Sequence, residues 1–475
     1  MSNLNKQLGS LYPDFQKNFP FRLILYILSL FVFISSCSPD EPIMKEDPSI
    51  GLEPKQYGTP FNNVPEIPDI QLYEVNPQVF SSARNLTGIT LLLDSLKELG
   101  INVVWIMPIF ETGQIRSVGS PYSIKDYLTI HPSLGSKNSL RELVDKAHSL
   151  DMAVILDWVA NHTAWDHPWI QNTSWYIKDG SGTITHPPGT NWMDVAQLDF
   201  TNMDMRLEMI KAMKYWVLEA NVDGYRFDYA AGPPFGFWKQ ALDTLKSIPG
   251  RNLILFAEDD DKNLLNAGFD LIFGWPFYGS LWRVFNGQSA QQIFQAHLNE
   301  YQNVEEGKHI VRWTTNHDEH AWDDIPQNKF RSLRGSIAAF VLASHLGGVP
   351  LIYNGQEVAV PNQLPFFEGH NTTINWTLNP GIKAEYKRIL NFRKQSMALR
   401  RGSVQDFSSS QVSSFTKRYG EEELFIMVNV RNSTIQYMIP EEFKNSTWKD
   451  VYSDSTIQLG NEVALDPYEY LVLKK

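Results

Sequence analysis

The chain has 475 residues, more than one hydrophobic core usually serves, and its 43% hydrophobic, 20% charged and 13% aromatic composition is that of a folded globular protein. Lys plus Arg number 41 against 53 Asp plus Glu, a formal net charge of −12, which disfavours nucleic acid and other polyanions as partners. With 14 Trp and few basic clusters, a neutral ligand such as a sugar suits this surface better, although core packing is the first explanation for any single Trp.

The N-terminal part reads as an export signal. Lys17 and Arg22 precede an apolar run, Leu23 to Ile34, followed by Ser35, Ser36 and Cys37. The run is too short for a comfortable membrane span. Ile34-Ser-Ser-Cys37 resembles a bacterial lipobox, which implies a signal peptide over 1–36 and lipid modification of Cys37; an uncleaved signal anchor is the alternative. Cys37 is the single cysteine, so no internal disulfide is possible. Residues 37–64 are expected to form a flexible tether, because Ser38 to Gly58 is rich in Pro and acidic residues and lacks apolar periodicity. The expected product is a secreted lipoprotein anchored to a membrane, at the outer membrane or cell surface of a Gram-negative bacterium.

From residue 65 to about 400, short apolar runs alternate with stretches of helical period, the pattern of repeated βα units. Eight runs are strand-like: IQLYEV, INVVWIMP, AVILDWV, VDGYRFD, LILFAE, FDLIFGWP, HIVRWTTN and GVPLIYNG. Between them TLLLDSLKELG, SLRELVDKAHSLD and MRLEMIKAMKYWVLEA carry apolar residues at helical spacing, the first ending in Gly100 as a helix C-cap should. The expected fold is an α/β barrel of eight βα units. An irregular Trp-, Pro- and Gly-rich segment over about 163–197, after the third strand, is expected to form a small inserted subdomain. Beyond 401 alternating runs such as SSFTKRYG and LFIMVNVRN predict a C-terminal antiparallel β domain, a β-sandwich over 401–475.

Polar clusters close several of these runs: DWVANH (Asp157 to His162), GYRFD (Gly224 to Asp228), Glu258 after LILFA, and NHD (Asn316 to Asp318) after IVRWTT. In a βα barrel all strand C-termini open onto one face, so these separated residues converge into one site. These motifs, with VAQLDFTN (Val195 to Asn202) as a fifth, resemble the α-amylase family of glycoside hydrolases, over about Ile70 to Lys475. The resemblance implies Asp228 as nucleophile, Glu258 as general acid/base and Asp318 on the ring hydroxyls, in a retaining double displacement on α-1,4-linked glucans. It also implies that His162 and His317 donate to sugar hydroxyls and that Tyr122 stacks under the cleaved ring. Arg226, two residues before Asp228, shares its face of the strand and can hold the nucleophile ionised. Glu258 must instead stay protonated near neutrality, and Asp259, Asp260 and Asp261 are read as solvated loop charges. Asp157 is expected to organise the hydrogen bonds of the site.

Asn161 and Asp199 resemble positions that hold calcium in many amylases, so calcium is the expected cofactor and no organic cofactor is implied. The run His317 to His320 is not read as a metal site, since neighbours on an extended segment face opposite ways. Two departures from the family pattern matter. Ser123 stands where an aspartate often follows the stacking tyrosine, which leans toward an open cleft. After Asp228 the usual Lys-His pair is replaced by Ala231 and Gly232, which removes a contact to the sugar on the reducing side. Trp165, Trp169, Trp175 and Trp192 are candidates for the cleft wall. A cyclomaltodextrinase or glucan transglycosylase with the same active site is the alternative function, and a non-catalytic glycan-binding lipoprotein a more distant one.

Overall fold

The structure, a computed structural model, describes residues 54–475. The expected signal peptide, Cys37 and most of the expected tether lie outside the described residues. The compact unit begins at Gln56, earlier than the tether boundary at 64. Tyr57 N–H donates to the Leu218 carbonyl (2.7 Å), its hydroxyl donates to Asp145 (2.7 Å), and Phe61 stacks flat on His148 at 4.2 Å. The last aromatic and apolar residues of that stretch are drawn onto the barrel by burial, so the Pro-rich, acidic character ends before the residue where sequence reading stops it.

Eight parallel strands close the barrel: β1 (Leu72–Val75), β2 (Val103–Ile106), β5 (Ala153–Val159), β8 (Gly224–Asp228), β9 (Ile254–Ala257), β10 (Leu271–Phe273), β11 (His309–Arg312) and β12 (Val349–Tyr353). Each lies within one of the eight expected runs. The strands read as unbroken apolar runs because both faces are covered, as in β5, where all seven residues are buried. Alternate residues divide the work. Leu72, Trp105, Ile155, Phe256, Phe273, Trp313 and Leu351 fill the barrel interior, while their neighbours pack outward against the helices.

Helix Leu93–Leu99 ends at Gly100 in a left-handed conformation (φ 111°), as its sequence requires. Helix Lys137–Ser149 starts on a capping box between Ser136 and Ser139. Before the third barrel strand, β3 (Phe110–Thr112) and β4 (Ile124–Ile130) form a small antiparallel ribbon, and the loop between them carries Tyr122. The excursion after β5 is anchored by a second ribbon, β6 (His162–Ala164) with β7 (Val195–Gln197), in which His162 pairs with Gln197.

The C-terminal region is antiparallel, as expected. A six-stranded sheet contains β13 (Ser403–Asp406), β14 (Val412–Tyr419), β15 (Glu422–Asn429), β17 (Ser446–Asp450), β18 (Thr456–Leu459) and β20 (Tyr470–Lys474). A two-stranded sheet pairs β16 (Ile435–Met438) with β19 (Glu462–Leu465). Phe425, Met427, Phe443, Trp448 and Leu473 form a core of their own here. The Arg431 guanidinium reaches the barrel carbonyls of Val284 (2.7 Å) and Gln288 (2.6 Å).

Candidate active site

Parallel register assembles the centre of the site. Asp157 on β5 lies beside Arg226 on β8, and Val159 beside Asp228. Phe227 pairs with Ala257 at the end of β9, which sets Glu258 next to Asp228. Arg226 is wholly buried, and its guanidinium serves three carboxyls: Nη1 donates to Asp157 (3.0 and 3.1 Å) and to Asp228 Oδ1 (3.1 Å), while Nη2 pairs with Glu258 Oε1. The expected bond to Asp228 is therefore present, and the same cation also pairs with Glu258. Asp228 and Glu258 leave 13% and 16% of their side chains exposed, enough to meet a substrate from the open end of the barrel.

Burial raises the pKa of both carboxyls. At Asp228 the Glu258 charge adds to the rise, which carries it well above the usual carboxylate range. At Glu258 the Arg226 cation opposes the rise and Asp318 reinforces it. The Glu258 charge is one cause of the rise at Asp228, which favours a pair that carries a single proton, and the larger rise is the one at Asp228. Asp259 to Asp261 do not feed this shift. Asp259 and Asp261 turn back on their own loop, accepting from the Asp261 and Asn263 N–H groups.

A second chain of bonds approaches from β1. Glu74, wholly buried, pairs with His317 Nδ1. On its other side His317 Nε2 lies 2.9 Å from the Tyr122 hydroxyl and 3.4 Å from Asp318, and that hydroxyl donates to Asp157 (3.2 Å). Although burial opposes charge on His317, Asp318 and Glu74 outweigh it and raise its pKa to about 9. His317 is thus an imidazolium at neutral pH, donating through both nitrogens. His162 behaves oppositely: burial lowers its pKa to about 4, and the Asn161 amide donates to its Nδ1 (3.2 Å), leaving the proton on Nε2.

Asp157 has the organising role expected of it, taking bonds from Arg226, Tyr122 and the Trp105 indole (3.0 Å). Sequence reading passed over Glu74, and the available signal was a carboxylate inside an otherwise apolar strand. It also passed over Phe366, which lies nearly parallel to Tyr122 (centroids 5.6 Å, 12°) on the loop after β12. Of the four candidate tryptophans, Trp169 and Trp175 pack edge to face on each other, with Trp169 against Tyr127. Trp165 sits under Arg116, and Trp192 borders His162. The segment after Asp318 is not extended as expected but coils into a π turn, Glu319–Asp323, where Glu319 pairs with Lys329 and His320 accepts from the Leu364 N–H.

The proposed calcium ligands do not fit a cation. Asn161 and Gln197 form a reciprocal amide pair: Asn161 Nδ2 donates to Gln197 Oε1 (3.1 Å), and Gln197 Nε2 donates to Asn161 Oδ1 (3.1 Å). The same Nε2 also meets the carbonyls of Asn161 (3.0 Å) and Leu198 (3.1 Å), so an amide donor already serves the oxygens an ion would need. Asp199 Oδ1 instead accepts from the Thr201 N–H (2.9 Å) and hydroxyl (2.7 Å) in a local turn. Among the described residues no group of three or more His, Cys, Asp or Glu is arranged to hold a metal.

Comparison with known proteins agrees with this geometry. The family profile described as "Alpha amylase, catalytic domain" matches residues 76–182. "Alpha-amylase 2" of Dictyoglomus thermophilum is 27% identical over 395 residues, 78% of this chain and 67% of that protein. A cyclomaltodextrinase of Thermoanaerobacter pseudethanolicus is 24% identical over 432 residues, covering 82% of this chain and 71% of its own length. Among solved structures, the maltogenic α-amylase AmyB of Thermotoga neapolitana superposes with a TM-score of 0.76 at 25% identity, over 86% of this chain and 99% of that one. In its ordered motifs and closed barrel the chain is similar to the α-amylase glycoside hydrolases, and these likenesses indicate an enzyme.

Proposed function

We propose that the protein hydrolyses α-1,4-glucosidic bonds in starch-like polymers or maltooligosaccharides with retention of configuration. The observation that carries this reading is Arg226, which holds the Asp228 and Glu258 carboxyls together at the open end of the barrel. In the first step the Asp228 carboxylate attacks the anomeric carbon while the Glu258 carboxyl gives its proton to the glycosidic oxygen. The C–O bond breaks, the shortened chain leaves, and a glycosyl ester on Asp228 remains. Glu258, now a carboxylate, takes a proton from water as that water attacks the same carbon and frees Asp228. Two inversions give net retention. The imidazolium of His317 and neutral His162 are hydrogen-bond donors suited to sugar hydroxyls, and Tyr122 offers an aromatic face. NMR of maltoheptaose digests tests the reading: an initially α-configured product is expected, and a β-configured one overturns the retaining assignment. Asp228→Asn is expected to lower kcat by ~10³-fold or more, because no nucleophile remains to form the ester.

Action on cyclic glucans is the second reading, supported by the likeness to cyclomaltodextrinases. Cleavage of β-cyclodextrin faster than of starch would favour it. Attachment through lipid on Cys37 rests on the lipobox-like sequence alone, and a Cys37→Ser variant should lose labelling by a clickable fatty acid in a producing cell.

A further inference from the structure

The segment after the nucleophile departs from the family pattern, and the structure gives that departure a purpose. Tyr229 follows Asp228 with a left-handed backbone (φ 42°), and its N–H donates to Glu258 Oε2 (2.7 Å). Its ring is not buried: the residue is 36% exposed. It meets Trp192 of the inserted subdomain edge to face at 5.1 Å, and Trp192 meets His162 in the same manner at 5.7 Å. An aromatic band thus runs from the histidine beside the cleaved sugar to the residue bonded to the acid.

Gly232 makes room for this arrangement. A Cβ at that position would lie 2.2 Å from Asn161 Oδ1 and 2.9 Å from Tyr229 Cδ1, closer than real contacts allow. Asn161 has little freedom to yield, being locked to Gln197 by the reciprocal amide pair. A longer residue at position 232 and this placement of Tyr229 therefore exclude each other.

We infer that Tyr229 and Trp192 form an aromatic stacking platform for the glucosyl residue on the reducing side of the cleaved bond. The inference rests on the glycosidase reading above. Its geometry follows from Glu258, since the oxygen that receives the proton must lie within hydrogen-bond reach of this carboxyl. The sugar carrying that oxygen then lies beside Tyr229, and the contact with Trp192 holds the tyrosine ring in place before substrate arrives. Such a platform serves the departing chain in hydrolysis and any sugar acceptor in transfer.

The test compares two substrates. α-Maltosyl fluoride releases fluoride, so it has no sugar for the platform to hold, whereas maltotetraose fills the platform with its leaving chain. The quantity to measure is kcat/KM for maltotetraose divided by kcat/KM for α-maltosyl fluoride. Tyr229→Ala should lower this ratio by about 10-fold and Trp192→Ala by about 3-fold, while Tyr229→Phe, which keeps the ring, should stay within about 2-fold of the parent. An unchanged ratio in Tyr229→Ala overturns the platform and leaves the catalytic reading intact. A parent enzyme that cleaves neither substrate overturns the catalytic reading itself. If Tyr229→Ala does not fold, Trp192→Ala decides by the same ratio, an unchanged value refuting the platform.

Discussion

Two carboxylates, Asp318 and the buried Glu74, set the charge of His317, and that charge has a measurable pH signature. The His317 pKa stands at about 9, above the 6.5 of a free imidazole, so the charged form is the one the fold favours. Its stabilising contribution is therefore complete below 6.5 and is lost as pH rises through about 9. Activity should fall on the alkaline side near that value, as the bonds to Tyr122 and Asp318 lose their charge assistance. Glu74→Gln removes one of the groups that raise this pKa, so the alkaline limb of kcat/KM should move toward neutrality. A limb that stays in place in Glu74→Gln would show that His317 does not govern it. At the same scale, Arg226→Met should be more damaging than loss of one surface ion pair, costing about 3–5 kcal/mol, because Asp157, Asp228 and Glu258 would lose their shared cation. Thermal melting near pH 7 measures it.

Among the elements, the inserted segment is held by a ribbon of three residues per strand. β6 and β7 place Gln197 against Asn161, and the amide pair fastens the excursion to the end of β5. Gln197→Ala should lower the melting temperature by a few degrees, reflecting about 1–3 kcal/mol for the buried groups left without partners. Chelation with EDTA should leave the parent's melting temperature unchanged. A drop on chelation that calcium restores would place an ion here after all. Sequence reading found the segment but chose Asp199 as the ligand, because VAQLDFTN does not reveal which of its polar residues faces Asn161. That choice is made by strand register, which turns Gln197 inward and leaves Asp199 to close a turn.

Across the whole molecule, the C-terminal sheets have an apolar core of their own on one side, while Phe415, Leu424, Ile426, Val428 and Val472 join the core of the barrel and Tyr468 stacks on Phe285 at 5.9 Å, and polar contacts add to this fastening. Arg431 spans to Val284 and Gln288, and the Tyr470 hydroxyl donates to Glu385 (2.5 Å). Arg431→Ala should raise proteolytic cutting between 401 and 412 and lower the melting temperature, with a smaller effect on kcat, since the hydrogen bonds of the Arg431 guanidinium go to Val284, Gln288, Ser410 and Val430 and not to Asp228, Glu258 or Asp318. Equal loss of kcat and stability would instead tie the β domain to the cleft. The eightfold alternation that predicts the barrel was legible because parallel strands covered on both faces must be apolar throughout. The start of the folded unit was less so, since Tyr57 and Phe61 gain their significance only from Leu218, Asp145 and His148, distant in the chain.

By itself the sequence determined the class of fold and which carboxyls, Asp228, Glu258 and Asp318, meet at the open end of the barrel, since both follow from local patterns: hydrophobic period, strand ends and short motifs that keep their residues adjacent. Beyond the bond from Arg226 to Asp228, which strand alternation already implied, only the tertiary structure decided which groups act on those carboxyls. The charge on His317 depends on Glu74, 243 positions away along the chain. The protonation of Glu258 depends on burial, Arg226 and Asp318, and the placement of Tyr229 beside Asn161 depends on Gly232, where a Cβ would meet both. Electrostatic and steric effects act through space over a few ångströms, so they are set by the closing of the barrel and not by order along the chain.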